Sequence, residues 1–176
     1  MNKLGLTVIV IMGAACGGGG SGGGTGPISP ASAMNACETI CQHEVECTPD
    51  GQTVDACITD CVGDIGGGGY RTDAVNNIAD CVAGLACTDD EEQCLAECTP
   101  TSAHEAYETK CRAKYTECGG TGSPDDLCET TPNATTEVGQ TCLFTPAVVT
   151  ALAACFDQPC TELETCFDDV ATQFGL

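Results

Sequence analysis

Tryptophan is absent, and four phenylalanines and three tyrosines complete the aromatic inventory of 176 residues. Between Cys37 and Cys98 that inventory falls to Tyr70 alone. A chain so short of large apolar side chains cannot close a core by burial alone and needs cross-links. Basic charge is equally scarce: five Lys and Arg stand against 26 Asp and Glu, a formal net charge of −21 at pH 7. Such a polyanion disfavours nucleic acid and anionic membrane surfaces as partners, while cationic partners and divalent ions remain compatible. No alternating strand pattern occurs, and no Cys-x-x-Cys. The second absence removes the thioredoxin-type redox motif and the usual zinc-knuckle spacing.

Cysteine is what the chain has: seventeen residues, an odd number. Cys16 stands apart from the rest. Met1-Asn2-Lys3 is a short positive start, Leu4 to Met12 is an apolar run too short to span a bilayer, and Gly13-Ala14-Ala15 puts small residues before Cys16. Residues 1–15 therefore have the anatomy of a secretory signal peptide. The segment Ile11 to Cys16 resembles a bacterial lipoprotein signal, with Gly13 where that family usually carries Leu. The resemblance implies lipidation of Cys16 as the first mature residue. Gly17 rather than Asp after it implies the outer membrane or cell surface. Gly13 and Ala15 also suit an ordinary signal peptidase, so a secreted or soluble periplasmic protein is the alternative. Gly17 to Gly24 has the composition of a flexible tether, closed by Pro27 to Ser32, which makes 16–32 an expected link between anchor and folded part. Setting Cys16 aside leaves sixteen cysteines for eight disulfides in an oxidising compartment.

Helix signals recur after the tether. Thr88-Asp89-Asp90-Glu91, Ser102-Ala103-His104-Glu105 and Thr161-Glu162-Leu163-Glu164 each match a capping box. Thr145-Pro146 places Pro at a first helical position, and Gly119-Gly120 and Gly175 stand where helices end. Apolar stripes run through Tyr107, Cys111, Tyr115 and Cys118, and through Leu163, Cys166, Phe167, Val170 and Phe174. These signals predict an all-α fold, with helices near 33–46, 53–64, 73–86, 89–98, 103–118, 146–156 and 162–174.

The cysteines form two arrays. The first is Cys37-x3-Cys41-x5-Cys47, Cys57-x3-Cys61, Cys81-x5-Cys87-x6-Cys94 and Cys98; the second is Cys111-x6-Cys118, Cys128, Cys142 and Cys155-x4-Cys160-x5-Cys166. The run Asn77 to Cys87 reads like Ala151 to Cys160, and aligning Cys41 and Cys47 with Cys111 and Cys118 sets Tyr107 opposite Cys37. Two diverged copies of one helical module are expected, 33–99 and 100–176. Cys37 and Cys41 lie one turn apart on one helix face, as do Cys57 and Cys61. Packed antiparallel, such helices make Cys37–Cys61 and Cys41–Cys57 the geometrically natural bridges, although spacing does not encode connectivity. This resembles the hairpins of CxxxC…CxxxC proteins. Nine cysteines in the first array and seven in the second require at least one bridge between them. Cys98 is the candidate, with Cys128 or Cys142 as partner.

No catalytic constellation assembles. Gly19 to Gly23 matches GxSxG formally, and the same run contains GxGxxG, but neither has the strand–turn–helix context it needs. His43 and His104 read as exposed helix residues rather than bases, and the oxidising compartment argues against a cysteine-ligated metal site. Asp89, Asp90, Glu91 and Glu92 offer calcium ligands together with Asp125 and Asp126, yet no EF-hand spacing is present, and acids in a first turn serve the helix dipole. No cofactor or metal is expected.

Signal, tether and CxxxC-rich modules together resemble the cysteine-rich lipoproteins of myxobacteria and their relatives. The resemblance implies an envelope address and carries no activity. The expectation is a non-enzymatic, lipid-anchored cell-envelope protein, a disulfide-stabilised structural or binding module of unknown molecular activity, held to the membrane by its lipid, with any protein partner left unidentified by the sequence. A divalent-cation (calcium)-binding surface protein is the first alternative, and a secreted enzyme the second. Mass spectrometry of the mature N-terminus is expected to find diacylglyceryl-modified Cys16; an unmodified N-terminus refutes the anchor.

Overall fold

Local chemistry starts most of the helices. In the computed structural model, which describes residues 24–48, 51–89, 93–94, 98–124, 128 and 141–176, Ser29 accepts the Ser32 N–H at 3.1 Å and Pro30 opens helix α1, Pro30–Cys47. Thr53 caps α2, Val54–Ile65, through the Ala56 N–H. Helix α3 is Thr72–Val82, α4 is Ser102–Glu117, α5 is Pro146–Cys155 and α6 is Leu163–Phe174. Thr145 caps α5 with Pro146 at its first position. Among the described residues there is no strand, only two isolated antiparallel bridges, and the fold is all-α with eight disulfides.

Several element ends differ from the sequence reading. Helix α1 begins at Pro30 rather than 33, and residues expected to belong to the tether are already hydrogen-bonded into the fold. Ile28 N–H donates to the Tyr70 carbonyl at 2.9 Å, and Thr72 N–H to that of Gly26 at 3.0 Å. Helix α3 stops at Val82, short of 86. Its chain turns through Gly84, whose N–H bonds to the Cys81 carbonyl, and the Leu85 N–H closes the same turn on the Val82 carbonyl. The helix expected over 89–98 lies largely outside the described residues; Gln93 and Cys94 form a 3₁₀ turn. Thr161 does not cap α6: the chain turns at Pro159–Glu162, and Glu162 occupies the N-cap without a side-chain bond. Ser102 is the first residue of α4 rather than its cap, which falls to Thr101.

Helix α1 packs on α2 and α3, and α5 packs on α4 and α6. Ten of the 23 buried hydrophobic positions among the described residues are cysteines, so cystine takes the place of missing aromatic bulk. The first half is closed by Cys37–Cys61, Cys41–Cys57, Cys47–Cys87 and Cys81–Cys94, the second by Cys111–Cys128, Cys118–Cys160 and Cys155–Cys166. Three bridges recur between halves with nearly the same span: 16 and 17 residues (Cys41–Cys57, Cys111–Cys128), 40 and 42 (Cys47–Cys87, Cys118–Cys160), 13 and 11 (Cys81–Cys94, Cys155–Cys166). Where the first half has Cys37–Cys61, the second has buried Tyr107 packed on Phe156, ring centroids 5.2 Å apart. Loops of these lengths are worth about 3–4 kcal/mol each in the chain-entropy account, less in combination because they overlap.

The halves meet at one seam, and the seam is two-fold in character. Arg71 N–H donates to the Leu143 carbonyl and Thr145 N–H to the Gly69 carbonyl, both at 2.8 Å, on either side of a Tyr70–Phe144 pairing. Tyr70 precedes Cys81 by 11 residues and Phe144 precedes Cys155 by 11 (81 − 70 and 155 − 144). Corresponding residues thus pair with each other, as they do across a two-fold axis. The two rings stack tilted at 5.3 Å. Cys98–Cys142 crosses the same seam. At its edge Gly67 lies against Gly175, whose left-handed φ of 66° ends α6; a Cβ on Gly67 would collide with the Gly175 carbonyl.

Arg71 fills the seam at 2 % exposure. Its guanidinium donates from Nε and Nη2 to the two oxygens of Asp73, and from Nη1 to the Thr99 carbonyl at 2.9 Å and the Cys142 carbonyl at 3.2 Å. A planar fork with five donors satisfies all of these at once, and an ammonium cannot. Arg71→Met leaves two carbonyls and a part-buried carboxylate unpaired, so a loss of about 3 kcal/mol is expected. Arg71→Lys is expected to recover less than half of it. Denaturant unfolding of the oxidised protein measures both, and equal stability of all three proteins would remove Arg71 from the seam's account.

Candidate functional site

Cys16 and the glycine run up to residue 23 lie outside the described residues, as do Asp90, Glu91, Glu92, Asp125 and Asp126. Residues 24–28 dock on the seam. Asp73 N–H bonds to the Gly24 carbonyl, and the Thr72 hydroxyl to the Pro27 carbonyl at 3.1 Å. All sixteen remaining cysteines are bridged, and Cys98 is joined to Cys142 rather than Cys128, which pairs with Cys111.

Both histidines are buried, against the exposed positions expected of them. His104 is wholly buried and stands at the third position of α4. Its Nδ1 accepts the Thr101 N–H at 3.1 Å and faces the Thr101 hydroxyl at 2.8 Å; its Nε2–H therefore donates to the Thr141 carbonyl at 3.0 Å. The imidazole does the work of a capping-box carboxylate while tying α4 to the seam segment. Burial holds its pKa below the usual 6.5, against the Thr141 carbonyl, which favours the charged form; nearby Arg71 adds to the lowering. No sequence signal marks this, because the partner carbonyl is 37 residues away.

His43 is drawn in by the loop that follows α3. Its Nε2 lies 3.1 Å from the Leu85 carbonyl, an acceptor only, so this nitrogen carries the proton. Early termination of α3 is what presents that carbonyl. One ring nitrogen of His43 and the sulfurs of Cys47 and Cys87 lie within 4.8 Å of one another. A second cluster joins Glu44 to the Cys41–Cys57 bridge, with Glu44 Oε2 at 3.1 Å from Cys57 Sγ. A cystine sulfur has no proton to donate, so this is a carboxylate resting on a buried bridge.

The other ionisable interior groups are taken up structurally. Lys114 Nζ, although buried, reaches Glu117 at 2.8 Å. Burial raises the Tyr107 hydroxyl to about 12, leaving it neutral at any physiological pH. Asp89 closes a turn by accepting the Ala86 N–H at 2.8 Å, which removes one carboxylate oxygen from the expected acidic ligand group.

These features define a small disulfide-rich all-α protein of an oxidising, extracytoplasmic compartment. No helix among the described residues is long and apolar enough to cross a membrane. No family model matches the chain, and no curated protein or solved structure is similar to it.

The lowered pKa of His104 has a stability consequence with a definite sign. Above about pH 6.5 the imidazole is neutral in both states. Below that, the unfolded chain takes up the proton first, so folding stability falls with pH until the folded value is passed. The slope is at most about 1.4 kcal/mol per pH unit from this group. His104→Gln keeps an acceptor for Thr101 N–H and is expected to flatten the profile from pH 6.5 downward. Thermal unfolding from pH 7.5 to 5 compares the two, and parallel profiles would reject the assignment.

Proposed function

We propose that this chain is a non-enzymatic, lipid-anchored cell-envelope protein, in which Cys16 carries the lipid, the glycine run spaces it, and the disulfide-clamped helices form a structural or binding module. The observation that carries this reading is the use made of the interior polar groups. Arg71 and His104, the two most deeply buried ionisable side chains on the seam, are bound to backbone carbonyls and to helix caps. Such groups hold shape and are not poised to exchange protons with a substrate. The docking of residues 24–28 at the seam that Cys98–Cys142 crosses supports the mechanical half of the reading, since a tether would bear on a cross-linked join. An acidic surface keeps the module soluble and away from the anionic lipid it hangs from.

Two experiments test this together. Cys16→Ser is expected to move the protein from the membrane fraction to the soluble fraction without changing its melting temperature. The folded domain is expected to turn over none of a broad hydrolase substrate panel; robust turnover abolished by a point mutation would sink the non-enzymatic reading.

A further inference from the structure

The loop after α3 leaves one group unexplained. His43 is 5 % exposed, its Nε2–H is committed to Leu85, and its Nδ1 keeps a bare lone pair with no partner. Buried acceptors left so are rare and ask for a reason. The nearest chemistry is the Cys47–Cys87 bridge, whose two sulfurs and one His43 ring nitrogen lie within 4.8 Å of one another. His43 and Cys47 sit one turn apart on one face of α1. Leu85 and Cys87 come from the same loop. Cys87 is exposed and Cys47 half-buried, so the bridge is open to solvent on one side.

We propose that Cys47–Cys87 is a redox-gated metal site: when an external dithiol reduces the bridge, the two thiolates and His43 Nδ1 bind one thiophilic cation, Zn²⁺ or Cu⁺. The S–S bond breaks as the dithiol transfers two electrons and two protons and departs as its own disulfide. The cation then displaces the two thiol protons to water. One imidazole with two thiolates is a donor set for soft and borderline d¹⁰ ions, with a further position left to water or a partner's side chain. The supporting shell is already built. A metal-bound histidine characteristically donates its other N–H to a carbonyl or carboxylate, which fixes the tautomer, and the Leu85 carbonyl stands in that place. The net charge of −21 raises the local concentration of any cation.

The second half of the chain contains an internal comparison. Cys118–Cys160 is the corresponding bridge, with both residues exposed. Four residues before Cys118, where the first half has His43 before Cys47, stands Lys114, engaged with Glu117. A protonated amine is no ligand, so this bridge opens to a dithiol without gaining a cation site.

The test reduces the full chain with a limited amount of dithiol, removes the reductant, and titrates Co²⁺ as the spectroscopic stand-in for Zn²⁺. Alkylation and mass mapping identify the opened bridges. One Co²⁺ per chain is expected, with thiolate charge-transfer and tetrahedral d–d bands. Affinity is expected to fall by about tenfold or more in His43→Gln. The bands are expected to vanish in Cys87→Ser, a change at an exposed position that guards against a folding defect at His43. Cys118→Ser is expected to leave them unchanged. The proposal is overturned if the reduced chain takes up no Co²⁺, or if Cys87→Ser or His43→Gln binds as the parent does. It is equally overturned if Cys118→Ser removes the bands, or if Cys47–Cys87 opens only with loss of helical circular dichroism.

Discussion

Closure by cystine is the constraint from which the remainder of this structure follows. Seven large rings and a set of Ala, Val and Ile side chains cannot exclude water from the six helices among the described residues. The bridges do so by filling the interior themselves: Cys37, Cys41, Cys94, Cys128, Cys142 and Cys155 are wholly buried. A buried cystine contributes twice, as apolar volume in the folded state and as a restriction on the unfolded chain. That double contribution lets helices as short as α5, ten residues, hold a fixed place. It also explains why one repeated bridge pattern organises both halves.

The seam depends on the same economy. Polar backbone is buried where the two halves of the chain touch, and Arg71 satisfies the Thr99 and Cys142 carbonyls there. Around it gather the Cys98–Cys142 bridge, the Tyr70–Phe144 pair, the His104 contact with Thr141 and the incoming residues 24–28. The pairing is two-fold where backbone meets backbone and asymmetric where side chains decide. Arg71 in one half corresponds to Thr145 in the other, a cation set against a helix cap.

Legibility from sequence tracked the distance over which each feature is decided. The starts of α2 and α5 were readable, because a hydroxyl and the N–H groups it caps lie within three residues. The nested pair Cys37–Cys61 and Cys41–Cys57 follows from one-turn spacing on two adjacent helices. A bridge between halves was required by the odd counts of nine and seven. The histidines were misread, since burial is a property of what packs on a residue. His43 needs Leu85, 42 residues on, and His104 needs Thr141, 37 residues on. The early end of α3 is set by a related contact: the chain turns through Gly84, and the Leu85 carbonyl beyond it accepts from His43, 42 residues earlier.

The sequence by itself determined that the chain is helical and cross-linked. These follow from capping residues and cysteine count, both of them short-range or compositional. Only the tertiary structure decided which buried groups matter. It set Arg71 among carbonyls from Thr99 and Cys142, and it placed Cys87 beside an imidazole whose second nitrogen has no partner. Both arrangements join segments far apart in the chain, and no local energy term distinguishes them.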